Sequence, residues 1–388
     1  MITMKTETKL IRTQAERSSF KEHAVPLYMT SSYTFDSAEQ MAATFNDEED
    51  GYIYSRYSNP NVTEFGDKVA DLEGAEASWV TSSGMSAIFS TFGALLKTGD
   101  EILSSRSVFG STHRLFTEIF PKWGIKTNYV PFDRLDLWEA AITNSTKILY
   151  IETPTNPGVD IIDLEKAAEI AKRHNLIFVV DNCFATPINQ RPIEFGADLV
   201  IHSATKYFDG QGRAMGGIIL GSKKLIGEIQ AFARHTGPSI SPFNAWVLSK
   251  SLETLSIRVE RHNSNASELA IRLEGHPNVE FVKYPFLKSH PQFDIAKKQM
   301  DGGGGLVTFE IKGGLQKGRE FLNSLKMLSL TANLGDSRSI ATHPASTTHS
   351  KLTEEDRLSV GITPGLIRIS AGLEHIEDIW NDIENALG

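Results

Sequence analysis

A single cysteine, Cys183, occurs in 388 residues. That excludes an intrachain disulfide framework and a four-cysteine zinc site. It agrees with a reducing compartment, so a cytoplasmic location is expected. Long apolar runs are missing too. Nothing reaches the roughly 18 residues a membrane span needs, and the N-terminal "MITMKTETKLIRTQAERSS" lacks the apolar core of a signal peptide. Positive charge is not in excess: 39 Lys and Arg against 48 Asp and Glu leave a formal net charge of −9. A general nucleic-acid-binding surface is therefore not expected. There is no HExxH and no His-rich metal spacing, so no metal site is expected. The stretch "GQGRAMGG" at 210–217 reads G-x-G-x-x-x-G and follows a lysine rather than opening a helix, which excludes a dinucleotide loop. No internal repeat or low-complexity segment occurs.

What is present is ordinary globular composition, 40% hydrophobic and 22% charged, on a length that allows about two or three domains. Residues 1 to 58 read as irregular, with an acidic stretch at 46–51 and an aromatic cluster at 52–60. Such a segment is expected to reach across to another element rather than form a core. From residue 59 short apolar strands alternate with amphipathic segments. Helices are predicted over 61–75, 84–99, 111–124, 135–143 and 163–175. Strands are predicted over 77–83, 100–105, 125–132, 146–154, 176–184, 197–205 and 216–222. The alternation means βαβ units and a mostly parallel sheet. Continuously apolar strands such as "KILYI" and "LIFVV" fit a sheet covered on both faces. One long helix is predicted over 241–276, followed by sparser strands at 279–285, 304–311 and 366–374. A large domain over 59–250 and a smaller α+β domain over 251–388 are expected.

Three strand ends carry chemistry, and in open α/β sheets ligands sit outside such ends. "ASWVTSSGMSA" turns through Ser82, Ser83, Gly84 and Met85 into a helix, whose free N–H groups can hold a phosphate. Taken alone, this turn reads better as an ordinary capped helix start. "LIFVVD" ends in Asp181, which alone could be a cap or a surface carboxylate. "LVIHSATKY" ends near Ser203, Thr205 and Lys206, and alone that lysine could simply be solvated. Together the three supply what pyridoxal 5′-phosphate (PLP) needs. A lysine binds its aldehyde, a carboxylate pairs with its pyridinium, and a helix end holds its phosphate.

The motifs "YSRYSNP", "SSGMSA", "ETPTNP", "VVDNCFATP", "HSATKY", "NLGDSRSIATHPASTTH" and "LIRISAGLE" occur in that order along nearly the whole chain. In them the sequence resembles the Cys/Met-metabolism group of PLP-dependent enzymes. The resemblance implies a fold-type-I (aspartate-aminotransferase-like) architecture, with a mostly parallel seven-stranded sheet in the large domain. It implies that Lys206 is the Schiff-base lysine and proton shuttle and that Asp181 pairs with the pyridinium. Gly84, Met85, Ser203 and Thr205 would bind phosphate. Tyr54 and Arg56 would complete the site of a neighbouring subunit within a dimer of dimers, a homotetramer with shared active sites. Tyr54 is the one phenol near the chemistry, and therefore a catalytic candidate. Asn156 would lie near the cofactor's phenolic oxygen, and Arg368 would hold the substrate α-carboxylate, with Asn333 beside it.

Two departures bear on activity. Many relatives stack a tyrosine on the cofactor; here "SVFGST" places Phe109 there, which keeps the π-face and loses the hydroxyl. Methionine γ-lyases typically carry a cysteine two residues on; here Ser111 stands. Both argue against a lyase. The resemblance then implies γ-replacement on O-succinyl-L-homoserine by sulfide, giving L-homocysteine and succinate in methionine biosynthesis. Cystathionine γ-synthesis, use of the acetyl ester and methionine γ-lysis remain as alternatives. Arg106 and Arg114 could meet a succinyl carboxylate, although surface placement suits them better. Cys183 reads as a small residue in a tight site, His202 as structural, and His343 and His349 as loop-ordering.

Overall fold

The computed structural model describes residues 4–351 and 353–388; residues 1–3 of the expected arm and residue 352 lie outside it. Seven strands form the larger sheet: β1 (Ala77–Thr81), β2 (Glu101–Ser105), β3 (Lys126–Val130), β4 (Thr146–Glu152), β5 (Ile177–Asp181), β6 (Leu199–Ser203) and β7 (Gly217–Gly221). Their order is β1-β7-β6-β5-β4-β2-β3. All pairs are parallel except β1–β7 and β6–β7. The central strands are apolar on both faces because two cores cover them. One contains Val180 and Val200, the other Val179 and Ile201.

A second sheet follows, of β8 (Val279–Lys283), β9 (Leu306–Ile311), β10 (Ser329–Leu330), β11 (Ile340–Thr342) and β12 (Leu366–Ser370), in the order β10-β11-β12-β9-β8. Its core is separate and includes Phe309, Phe321, Ile367 and Ile383.

Several expectations need correction. The segment expected to be irregular contains two helices, Thr6–Arg12 and Ala38–Phe45. The first is seated by Leu10, which is fully buried, and by Lys9, which donates to Asp71 at 2.7 Å. The helix predicted over 111–124 is short α-helix, then a π turn over Leu115–Ile119, then a 3₁₀ turn that starts at Phe120 with Pro121 at its second position. The long helix predicted over 241–276 is two, Pro242–Leu252 and Leu255–Glu274. Their apolar periodicity runs through the break, so the pattern alone could not show it. The break is held by Arg258, 6% exposed, which donates to the Ser251 carbonyl at 2.9 Å and to the Tyr207 carbonyl at 2.6 Å. The chain just past Lys206 is therefore tied to this corner.

Helix Pro60–Glu73 packs on helix Pro242–Leu252 at a buried ion pair of its own, Glu64–Lys68, to which Ser249 of the second helix hydrogen-bonds. Lys68, 1% exposed, donates to Glu64 at 2.9 Å and to the Ser249 hydroxyl at 3.0 Å. Removing one member strands the other charge. Lys68→Met should lower unfolding stability by about 3 kcal/mol, measured by urea titration, and adding Glu64→Gln should restore much of it. An unchanged midpoint in the single variant would contradict this account of the helix pairing.

Candidate active site

The strand ends of the larger sheet converge on one cavity, which Arg368 on β12 of the smaller sheet also lines. Asp181 closes β5 and is 8% exposed. Its carboxylate accepts the Cys183 N–H at 3.0 Å and the Tyr150 hydroxyl at 3.5 Å. No Lys, Arg or His lies within ion-pair distance of it among the described residues. Burial pushes its pKa up to about 6. The anion is costly here unless a cation arrives.

Lys206 follows β6 by three residues, and its Nζ donates to Asn333 Oδ1 at 2.6 Å. Burial pulls the ammonium below the usual lysine range; the Cys183 thiol opposes this and the Arg368 guanidinium reinforces it. Asn333 comes so close because Gly335 turns the chain back at φ +70°, where a Cβ would lie 2.8 Å from the Tyr207 nitrogen. Arg368, on β12, is 6% exposed. It donates to Asn156 Oδ1 at 2.8 Å and to the Asn333 carbonyl at 3.2 Å, while its Nε has no partner. Burial lowers its pKa to about 10. No carboxylate pairs with it among the described residues. The site thus holds a buried anion without a cation and a buried cation without an anion.

The phosphate end is built at helix Gly84–Leu95. Ser83 and Ser86 cap it reciprocally, which leaves the Gly84 and Met85 N–H groups free of protein acceptors among the described residues. Gly84 sits against Ser203 so closely that a Cβ would lie 2.7 Å from the Ser203 Cβ. Thr205 exchanges hydrogen bonds with Gly216 at 3.3–3.4 Å. Gly84, Met85, Ser203 and Thr205, with Phe109 and Asn156, line the same cavity as Asp181, Lys206 and Arg368. The Asn156 loop is clamped from the other sheet, because Lys283 on β8 donates to Asp160 at 2.7 Å and Thr308 on β9 donates to the Pro157 carbonyl at 2.7 Å. The donor set fits PLP: an anion for a ring nitrogen, a depressed lysine for an aldehyde, and free helix N–H groups for a phosphate.

Tyr54 and Arg56 are not brought to this cavity in the same chain. Tyr54 is 41% exposed, and the Arg56 guanidinium lies 4.7 Å from the Tyr57 ring centre and donates to the Arg234 carbonyl. Arg106 and Arg114 are exposed and line no part of the cavity. The Cys183 thiol lines it, with its pKa pushed up by burial and its S–H directed at the Ser203 carbonyl at 3.6 Å. His202 is buried against Glu73 at 2.6 Å, and His343 spans Ser346 and the Pro364 carbonyl, both at 2.7 Å. Sequence reasoning missed Glu152. It closes β4, pairs in register with Asp181, is 4% exposed and lines the cavity. The signal that found Asp181, a carboxyl after an apolar strand, was present there as well.

The uncompensated Asp181 makes the cofactor-free protein pH-sensitive. Its folded pKa lies above the unfolded value of 3.8. The native carboxyl therefore costs nothing below that value, destabilises increasingly as pH rises towards 6, and holds a constant cost above it. Without cofactor, Asp181→Asn should be more stable than wild type at pH 8, by on the order of 2 kcal/mol, and equal to it near pH 4. Thermal unfolding of the two apoproteins at both pH values checks this, and wild type the more stable at pH 8 would contradict it.

Comparison with known proteins agrees with the geometry. The model of the Cys/Met metabolism PLP-dependent enzymes matches residues 7–388. O-succinylhomoserine sulfhydrylase of Pseudomonas aeruginosa is 45% identical over 381 residues, covering 98% of this chain and 94% of that one. L-methionine gamma-lyase of Fusobacterium nucleatum subsp. polymorphum is 43% identical over 367 residues, covering 94% and 93%. Among solved structures, an O-acetylhomoserine (thiol)-lyase of Campylobacter jejuni superposes with a TM-score of 0.95 at 34% identity, over 99% of this chain and all of that one; it carries N′-pyridoxyl-lysine-5′-monophosphate. MetB of Corynebacterium glutamicum superposes with a TM-score of 0.93 at 34% identity, over 99% and 98%. The fold is therefore fold-type I and the cofactor is PLP. The chain belongs to the Cys/Met metabolism family of PLP-dependent enzymes.

Proposed function

We propose that the protein is a transferase that carries out γ-replacement on O-succinyl-L-homoserine, with sulfide displacing succinate to yield L-homocysteine. The observation that carries this reading is Phe109 on the cavity wall. The aromatic residue there has no hydroxyl, so this wall offers no phenol to protonate a departing thiolate, whereas succinate leaves as a carboxylate that needs no proton. Relatives at 45% identity bearing the sulfhydrylase name support the same choice.

Bound PLP supplies an electron sink for charge developing on the substrate. The rest falls to the chain. The Gly84 and Met85 N–H groups, with the Ser203 and Thr205 hydroxyls, hold the phosphate. Asp181 keeps a proton on the ring nitrogen by pairing with it, which also relieves its own burial. Arg368 turns its unpartnered Nε and a terminal nitrogen to the α-carboxylate, with Asn156 and Asn333 fixing the guanidinium. Lys206, its ammonium held below the usual lysine range by burial, is the base that takes the α-proton and returns it. Asn333 Oδ1 accepts a hydrogen bond from the lysine and aims it. Tyr54 and Arg56, away from their own cavity, serve that of a neighbouring subunit in a homotetramer.

The test is turnover of the holoenzyme with O-succinyl-L-homoserine plus sulfide, plus cysteine, or with no nucleophile. Homocysteine formed fastest, and only with sulfide, is the expected result. Faster cystathionine formation with cysteine, or 2-oxobutanoate released without a nucleophile, would reject this reading. The second outcome would favour the methionine lyase activity named for relatives at 43% identity. Lys206→Ala should lower turnover at least about 10³-fold, within the range for loss of a general base.

A further inference from the structure

The loop between β2 and the short helix Gly110–Arg114 carries the aromatic wall of the cavity, and very little holds it. Val108, 7% exposed, anchors it to the core. Within the loop, Val108 N–H bonds the Arg106 carbonyl at 2.9 Å. Phe109 is the residue before the helix, and no side chain caps that helix start. The Phe109 ring is 44% exposed, and no other aromatic ring packs on it among the described residues. Apart from the Phe109 carbonyl, which accepts the His113 N–H at 2.9 Å as the first bond of the helix that follows, one hydrogen bond ties residues 106–109 to another element among the described residues: the Phe109 N–H donates to Glu152 Oε2 at 2.8 Å.

Glu152 is otherwise hard to explain. It is 4% exposed at the end of β4, in register with a second buried carboxyl, Asp181. Two such neighbours cannot both ionise cheaply, and a leucine would fill the space at lower cost. The role that remains for the carboxyl is to accept the Phe109 amide. A neutral acid still accepts this hydrogen bond through its carbonyl oxygen, less strongly than a carboxylate does, so the bond survives when Asp181 takes the charge. We propose that Glu152 is a positioning residue that latches Phe109 in place as the wall over the cofactor ring. This rests on the reading of Phe109 as the ring-facing residue.

The experiment uses holoenzyme of wild type, Phe109→Ala, Glu152→Gln, Glu152→Leu and the Phe109→Ala/Glu152→Leu double variant. The readouts are the PLP dissociation constant and the visible circular dichroism of bound PLP. Phe109→Ala and Glu152→Leu should each weaken PLP about tenfold, the order expected for losing one buried hydrogen bond, and flatten the visible band. Glu152→Gln, which keeps an acceptor, should stay within about twofold of wild type. The double variant should be no weaker than Phe109→Ala alone. A changed Phe109→Ala with an unchanged Glu152→Leu would overturn the latch while leaving the wall. So would a Glu152→Leu effect that persists in full without the ring, or a Glu152→Gln as weak as Phe109→Ala. An unchanged Phe109→Ala would overturn the reading of the wall and the latch with it.

Discussion

Two buried charges of opposite sign, neither with a counter-ion among the described residues, organise this protein. Asp181 at the end of β5 and Arg368 on β12 each carry a desolvation cost that the rest of the chain does not offset. Pairing them with each other would be the cheapest solution for folding. The structure instead leaves them unpaired on the lining of one cavity that also holds Lys206, Asp181 on the larger sheet and Arg368 on the smaller. A cavity so arranged is complementary to a cation at one end and a carboxylate at the other. A protonated pyridine ring joined to an α-amino acid presents that combination. Stability given up in the folded protein is recovered when the missing charges bind.

Holding that arrangement takes connections between the two sheets. Lys206 to Asn333, Asn333 to Arg368 and Arg368 to Asn156 form a hydrogen-bonded chain across the gap. Its ends are fastened separately. Arg258, at the break between two helices, grips the carbonyl of Tyr207, and the Lys283–Asp160 pair fixes the loop that carries Asn156. None of these fastenings touches a reacting atom, yet each removes freedom from a group that does.

Much of this was legible in the residues. Apolar runs ending in Asp181 and in "HSATK" marked β5 and β6, because a strand covered on both faces must be apolar until it leaves the core. The Ser-Ser-Gly turn marked the helix that leaves N–H groups free. The helix break near Thr254 was not legible, since apolar spacing continues through it and the cause is a distant contact from Arg258 to carbonyls. The short strands β10 and β11 were missed because two or three residues give no periodicity. Glu152 was passed over although its strand ends as Asp181's does; its partner, a backbone N–H 43 residues away in sequence, leaves no mark in the pattern. The helices at Thr6–Arg12 and Ala38–Phe45 were read as irregular chain because only one residue of each is buried, Leu10 and Thr44, so their patterns are faint.

The central claim, that the lysine at the tip of β6 is the one that carries the cofactor, can be tested directly by borohydride reduction of the holoenzyme. Reduction fixes bound PLP covalently to its lysine, and mass spectrometry of the tryptic peptides then locates it. A phosphopyridoxyl group on Lys206 alone is the expected result. The same group on another lysine, with Lys206 unmodified, would contradict the account of the site given by Asp181, Asn333 and Arg368.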